Sequence, residues 1–117
     1  LTRPAPLEPV PSATLAAARV SHAATAHTLA VRAWRAGLAS VDAACAWSAR
    51  WLRAQHDQTL DAVAWTHALA DHASRMRTLE TEAARRHASG TATTADVEAA
   101  ADYRAEAELW VACGKVR

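Results

Sequence analysis

Phenylalanine, isoleucine and asparagine are absent from this chain of 117 residues, and lysine occurs once. Glycine stands at three isolated positions, 37, 90 and 114, and all four prolines fall within residues 4–11. Isolated glycines leave no phosphate-binding loop, and no serine-nucleophile elbow occurs. No apolar run reaches the roughly 18 residues that a membrane-spanning helix needs. The two cysteines, Cys45 and Cys113, are too few to define a disulfide framework and read as small buried thiols, although a bridge between them is allowed. A net charge of +1 sets up no global field toward nucleic acid or a membrane surface. No basic cluster interleaved with aromatics appears, so no nucleic-acid partner is expected.

What the chain has instead is alanine, 33 of its residues. Alanine is the best helix former but brings little apolar area, so a core built from it depends on close backbone approach plus a few large side chains. Five tryptophans (Trp34, Trp47, Trp51, Trp65 and Trp110) supply most of that bulk. A buried aromatic ring removes about 150–250 Å² from water, so truncating any of these is expected to hurt more than other single changes. The arginine-for-lysine bias, the missing asparagine and the abundant alanine point to a high-GC bacterial genome. No signal peptide is visible. One removed ahead of Leu1 fits the sequence, and a periplasmic or envelope location is preferred over the cytoplasm.

Residues 1–11 read as an extended proline-rich leader, because proline fixes φ and lacks a donor. Residues 12–114 read as a helical bundle. Ser12 stands where an N-cap belongs, and Val20, Ala24, His27, Val31, Trp34, Leu38 and Val41 then recur at alternating spacings of four and three, the seam of an antiparallel bundle or coiled coil. Gly37 stops that helix and Ser40 caps the next, whose bulky face carries Cys45, Trp47, Trp51 and Leu52. The pattern weakens over residues 55–59, where Asp57 or Thr59 can cap a new helix, and resumes as Trp65, Leu69, His72, Met76, Leu79 and Ala83. A break there gives four helices. Without it, residues 41–88 form one helix of about 70 Å and the bundle has three. Ser89-Gly90 ends the stretch, Thr94 caps a last helix bearing Val97, Ala100, Tyr103, Ala107 and Trp110, and Gly114 closes it. No segment alternates with period two, so the class is all-α. Five arginines against Asp42 between Ser12 and Gln55, and five acids against Arg104 between Ala95 and Ala112, suggest neighbouring segments with complementary rims.

Two readings of function follow. In the first, the chain is a non-enzymatic structural or protein–protein interaction module, such as a small accessory subunit of a larger bacterial assembly. It then meets a protein partner or a second copy through Trp47, Trp51, Trp65 and Trp110, since tryptophan is enriched at interface hot spots. In the second, His27 and His72, both on apolar seams, share a metal ion or ligate a haem from facing helices. Hydrogen-bonded structural histidines are the commoner use of such positions. The pairs His22/His27 and His67/His72 are five apart, which sets them about 140° apart around a helix and prevents chelation within one helix. No His-Glu-x-x-His, Glu-x-x-His or Cys-x-x-Cys-His occurs. Cys45 with Asp42, or Cys113, could act as a nucleophile only beside a base, and none lies within a turn of Cys113. Glu106 and Glu108 point away from one another, so they form no paired carboxylate site. No catalytic residue and no cofactor are assigned.

The two glycine turns resemble each other: Arg35-Ala-Gly-Leu-Ala-Ser-Val-Asp42 precedes one helix and His87-Ala-Ser-Gly-Thr-Ala-Thr-Thr-Ala-Asp-Val97 another, an echo that aligns with a gap. The second stretch, from Arg86 through Gly90, Asp96-Val97 and Glu106 to Leu109, resembles the helical hairpins of TolC-type outer-membrane efflux proteins, and residues 32–55 fit the same scheme more loosely. The segments Trp47-Ser-Ala-Arg50 and Arg104-Ala-Glu-Ala-Glu-Leu-Trp110 also resemble those of uncharacterised alanine-rich bacterial proteins, a likeness that implies no activity. The first resemblance implies the periplasmic helical part of such proteins and, with it, an efflux-associated envelope adaptor.

Overall fold

The computed structural model describes residues 11–58 and 61–116. They form four α-helices and no strand: α1 (Ser12–Arg35), α2 (Val41–Asp57), α3 (Ala62–Ala88) and α4 (Thr94–Cys113). The expected break is present, α2 ending at Asp57 and α3 beginning at Ala62. The leader over residues 1–10 and Thr59 lie outside the described residues.

The helices form two hairpins of one kind. In the first, Gly37 takes φ +76° and Leu38 N donates to Ala33 O (2.8 Å). In the second, Gly90 takes φ +80° and Thr91 N donates to Arg86 O (2.8 Å). Both are left-handed glycine stops that satisfy carbonyls otherwise orphaned at a helix end. In space the echo needs no gap: Gly37-Leu-Ala-Ser40 matches Gly90-Thr-Ala-Thr93, and Ser40 and Thr93 hold the two N-cap positions.

The caps differ from expectation in detail. Pro11 holds the N-cap position of α1, its carbonyl accepting from Thr14 N and Leu15 N, while Ser12 is already helical. Asp61, not Asp57, caps α3 through Ala64 N (2.7 Å). Thr93, not Thr94, caps α4. Its hydroxyl accepts from Asp96 N, and the Asp96 carboxylate accepts from Thr93 N, a complete capping box. In α2 the matching third position is Ala43, and Ser40 makes no side-chain cap bond. Asp96 compensates from the other hairpin: its second oxygen accepts from Val41 N at 3.2 Å. One carboxylate thus serves the N-termini of two helices.

α2 is the central helix, packed against α1, α3 and α4, and α3 also packs against α4. The Cα atoms of α1 stay more than 8 Å from those of α3 and α4, so its backbone lies close to α2 only, and it meets α3 through side chains of its C-terminal half, Trp34 and Arg35 among them. The core has two parts. One gathers Trp34, Val41, Ala44, Cys45, Met76, Leu79, Ala100 and Ala107, and the other Ala49, Leu52, Ala68, Leu69 and Trp110. Leu38, on the seam by spacing, is 83% exposed because Gly37 has ended the helix before it. The complementary rims pair differently from the sequence expectation. The acidic helix α4 lies on α2 and α3, and its ion pairs are with α3, Arg77–Glu108 and Glu80–Arg104, both at 3.0 Å. The arginines of α1 go elsewhere, Arg19 to Asp57 and Arg35 to Glu82.

Candidate binding site: a polar layer beside a cavity

Between the two parts of the core runs a polar layer. On α2 it is Ser48, between Cys45 and Leu52, and on α3 it is His72, between Leu69 and Met76. Both are fully buried. Ser48 Oγ and His72 Nδ1 share a hydrogen bond of 2.8 Å, and Arg75 Nε donates to the same Oγ at 2.7 Å. The spacing of His72 and Arg75 puts both within one turn of α3, so a single hydroxyl meets the two of them. The His72 ring stacks on Trp110, centroids 5.7 Å apart. Arg75 lies with its guanidinium carbon 3.9 Å from the centre of the Trp51 ring, a close cation–π contact. From α1, His27 Nδ1 donates to Ala44 O (2.8 Å), and the His27 ring tilts against Trp51 at 6.0 Å. A carbonyl only accepts, so the proton of neutral His27 sits on Nδ1.

Electrostatics hold this layer neutral except at Arg75. Burial first, then the charge of Arg75, pushes His72 down to about 3. Burial likewise lowers His27, against the upward pull of its bond to Ala44. Burial pulls Arg75 down to about 10, with Asp71 opposing, so its guanidinium is charged at neutral pH. That cation has no carboxylate bonded to it among the described residues: Nε goes to Ser48, and Nη2 is buried without a partner. His72 Nε2 is unpartnered too. Such groups stand out because nearly all buried polar atoms are paired.

Arg75 lines a cavity of about 180 Å³ between α1 and α3, together with His27, Val31, Arg35, Ser74, Thr78 and Leu79. Beyond it, a shallower groove of about 400 Å³ shares Arg35, Ser74 and Thr78 and adds Arg77, Thr81, Glu82 and Arg85. Glu82 is mostly buried and takes both of its oxygens to Arg35 (2.9–3.2 Å), with Arg86 at 3.4 Å. Burial alone would raise its carboxyl, but the hydrogen bonds and charge of Arg35 and Arg86 hold it below the usual range.

The residues singled out by sequence are divided by this arrangement. His27 and His72 lie on α1 and α3 and border the same arginine. Each has one ring nitrogen committed to the protein, and no group of three or more His, Cys, Asp or Glu is placed to hold a metal among the described residues. Trp110 is core, packed with Leu52 and Leu69. Trp51 is half-buried and forms the platform for Arg75. Trp65 is half-buried, its Nε1 donating to Gly114 O and its ring meeting His56 edge-on at 5.0 Å. Trp47 is half-buried under Arg50. Cys45 is buried and free, its thiol pushed up to about 12 by burial, so it stays protonated. Ser48 faces a histidine as a nucleophile faces a base, yet it is wholly enclosed and meets no solvent. Arg75 and Ser48, the centre of the layer, were not singled out. The available signal was a serine at the position facing the seam between two tryptophans, and an arginine one turn after a seam histidine. Comparison with protein-family models, curated proteins and solved structures gives no match for this chain.

Proposed function

We propose that this chain is a protein–protein interaction module whose free surface is the outer side of α1. The observation that carries the reading is the one-sided packing of α1. With its backbone close to α2 only, it leaves Leu15 54% and Leu29 56% exposed. Fourteen residues make nearly four helical turns, so the two leucines project from one face, about 40° apart. Covering what remains of each is worth about half of the roughly 1.5–3 kcal/mol of a fully exposed leucine, or about 1–1.5 kcal/mol. Leu109 and Val111, exposed near the end of α4, add a second apolar edge. Half-buried Trp47 offers a ring of the kind that anchors interfaces, and Trp110, being interior, does not contribute.

Metal or haem binding by His27 and His72 gains no support from the geometry, because Arg75 places a positive charge beside both rings. The envelope-adaptor reading is supported only by the pair of glycine-stopped hairpins. The test is co-purification of the intact chain from its native host, beside a Leu15→Glu/Leu29→Glu variant. A stoichiometric protein partner held by the natural chain and lost by the variant is the expected result. A partner retained equally by both, or none at all from a chain that is also monomeric by light scattering, contradicts it.

A further inference from the structure

We propose that the cavity between α1 and α3 is a binding site for a small carboxylate, with the Arg75 guanidinium as its anchor. The site stands independently of the interaction surface on the outer side of α1.

Three observations carry it. Arg75 is immobilised as a binding group is: its Cζ lies over the Trp51 ring, 3.9 Å from the centroid, and its Nε is fixed to Ser48 at 2.7 Å. What these contacts leave unpartnered is the edge formed by its two Nη atoms: Nη2 is buried with no acceptor, so a carboxylate entering from the cavity must part the side chains that cover it. That edge is the planar fork that takes both oxygens of a carboxylate in parallel hydrogen bonds. Second, no acid of the chain neutralises it among the described residues. Asp71 acts on it only through space. Glu82, the mostly buried acid of α3, is taken by Arg35 and Arg86. A largely buried cation without a bonded counter-charge is costly, and a bound anion relieves that cost. Third, the cavity suits an anion with an apolar body. Its volume is about 180 Å³, Val31 and Leu79 offer apolar wall, and Ser74 stands among the lining residues as a further donor. A neighbouring cation is excluded there by charge, whereas neutral His27 is tolerated.

The probe is sodium benzoate, titrated into the full-length protein at constant ionic strength and followed by the indole and backbone N–H signals. Sodium chloride and benzyl alcohol serve as controls. Expected are saturable shifts at millimolar benzoate, concentrated at the Trp51 indole and at Val31 and Thr78, with benzyl alcohol and chloride giving neither. Arg75→Met should weaken benzoate binding at least about tenfold, the loss expected for hydrogen bonds to a charged group. Val31→Phe, which fills the cavity while leaving Arg75 in the sequence, should abolish it. If Arg75→Met does not fold, Val31→Phe and the neutral benzyl alcohol decide the matter. The proposal is overturned if benzoate gives no saturable shift, if benzyl alcohol or chloride reproduces the pattern, or if a folded variant binds benzoate as the natural chain does.

Discussion

The two hairpins share a turn but not a fate. In the second, α4 has its own capping box and packs against both α2 and α3. In the first, α2 borrows its cap from Asp96, and the backbone of α1 comes close to α2 only, its C-terminal half meeting α3 through side chains. The same Gly-x-Ala-Ser/Thr turn therefore leads to a helix packed against three others in one case and against two in the other. Local sequence sets the turn. What lies around each helix is set by which long-range contacts its faces find.

The largest expected effect separates interior from flank. Trp34 in the first hairpin and Trp110 in the second are both core, so Trp34→Ala and Trp110→Ala should each cost about 3–5 kcal/mol in denaturant unfolding. Trp47→Ala should cost well under half of that, since its ring is already partly in water. Equal losses at all three would dissolve the distinction between core and flank.

Acid should act through the polar layer that joins the hairpins. His72 is held down to about 3 in the folded chain, against about 6.5 unfolded. Between those values the unfolded chain binds more protons, so stability falls as pH drops from about 6.5 toward 3. The slope from this one group is up to about 1.4 kcal/mol per pH unit. His27 is lowered as well and adds in the same direction. Unfolding curves across that range should steepen accordingly, and His72→Gln should flatten them. A natural chain equally stable at pH 7 and pH 4.5 would contradict the neutral layer.

Capping gives a smaller effect and a sharper comparison. Asp96→Ala removes a carboxylate that serves both N-termini and should cost about 2 kcal/mol, against about 1 for Thr93→Ala and under about 0.5 for Ser40→Ala, whose side chain caps nothing. Ala43→Asp should give α2 its own box and reduce the penalty of Asp96→Ala. A double-mutant cycle showing strict additivity would mean that Asp96 does not act on α2.

Much of this fold was legible because helix periodicity and glycine stops are local. The four-three spacing marked His27, Trp34, Leu69, His72, Met76 and Trp110 as inward, and they are buried. The weak stretch after Gln55 marked the break before α3. Caps slipped by a residue where two candidate side chains stand together, as at Thr93-Thr94, because adjacent hydroxyls compete and only three-dimensional geometry decides. Val20, Ala24 and Val31 carry the seam spacing of α1 yet are only half covered, since spacing shows which face is apolar and not how many helices will meet it. Asp96 reaching Val41 across 55 residues left no trace in local pattern, and Arg75 left only its place one turn after a seam histidine. An arginine flanking a seam ordinarily reads as rim.

The asymmetry between the outer helix and the enclosed ones can be measured directly by amide hydrogen exchange on the isolated chain. Opening free energies should be lowest in the first half of α1, around Leu15 to Ala26, and highest in α2 and the middle of α3, a spread of several kcal/mol. Protection of the first half of α1 equal to that of α2 would contradict the account, because a segment whose backbone nears one helix and whose leucine is in water cannot match a helix packed against three.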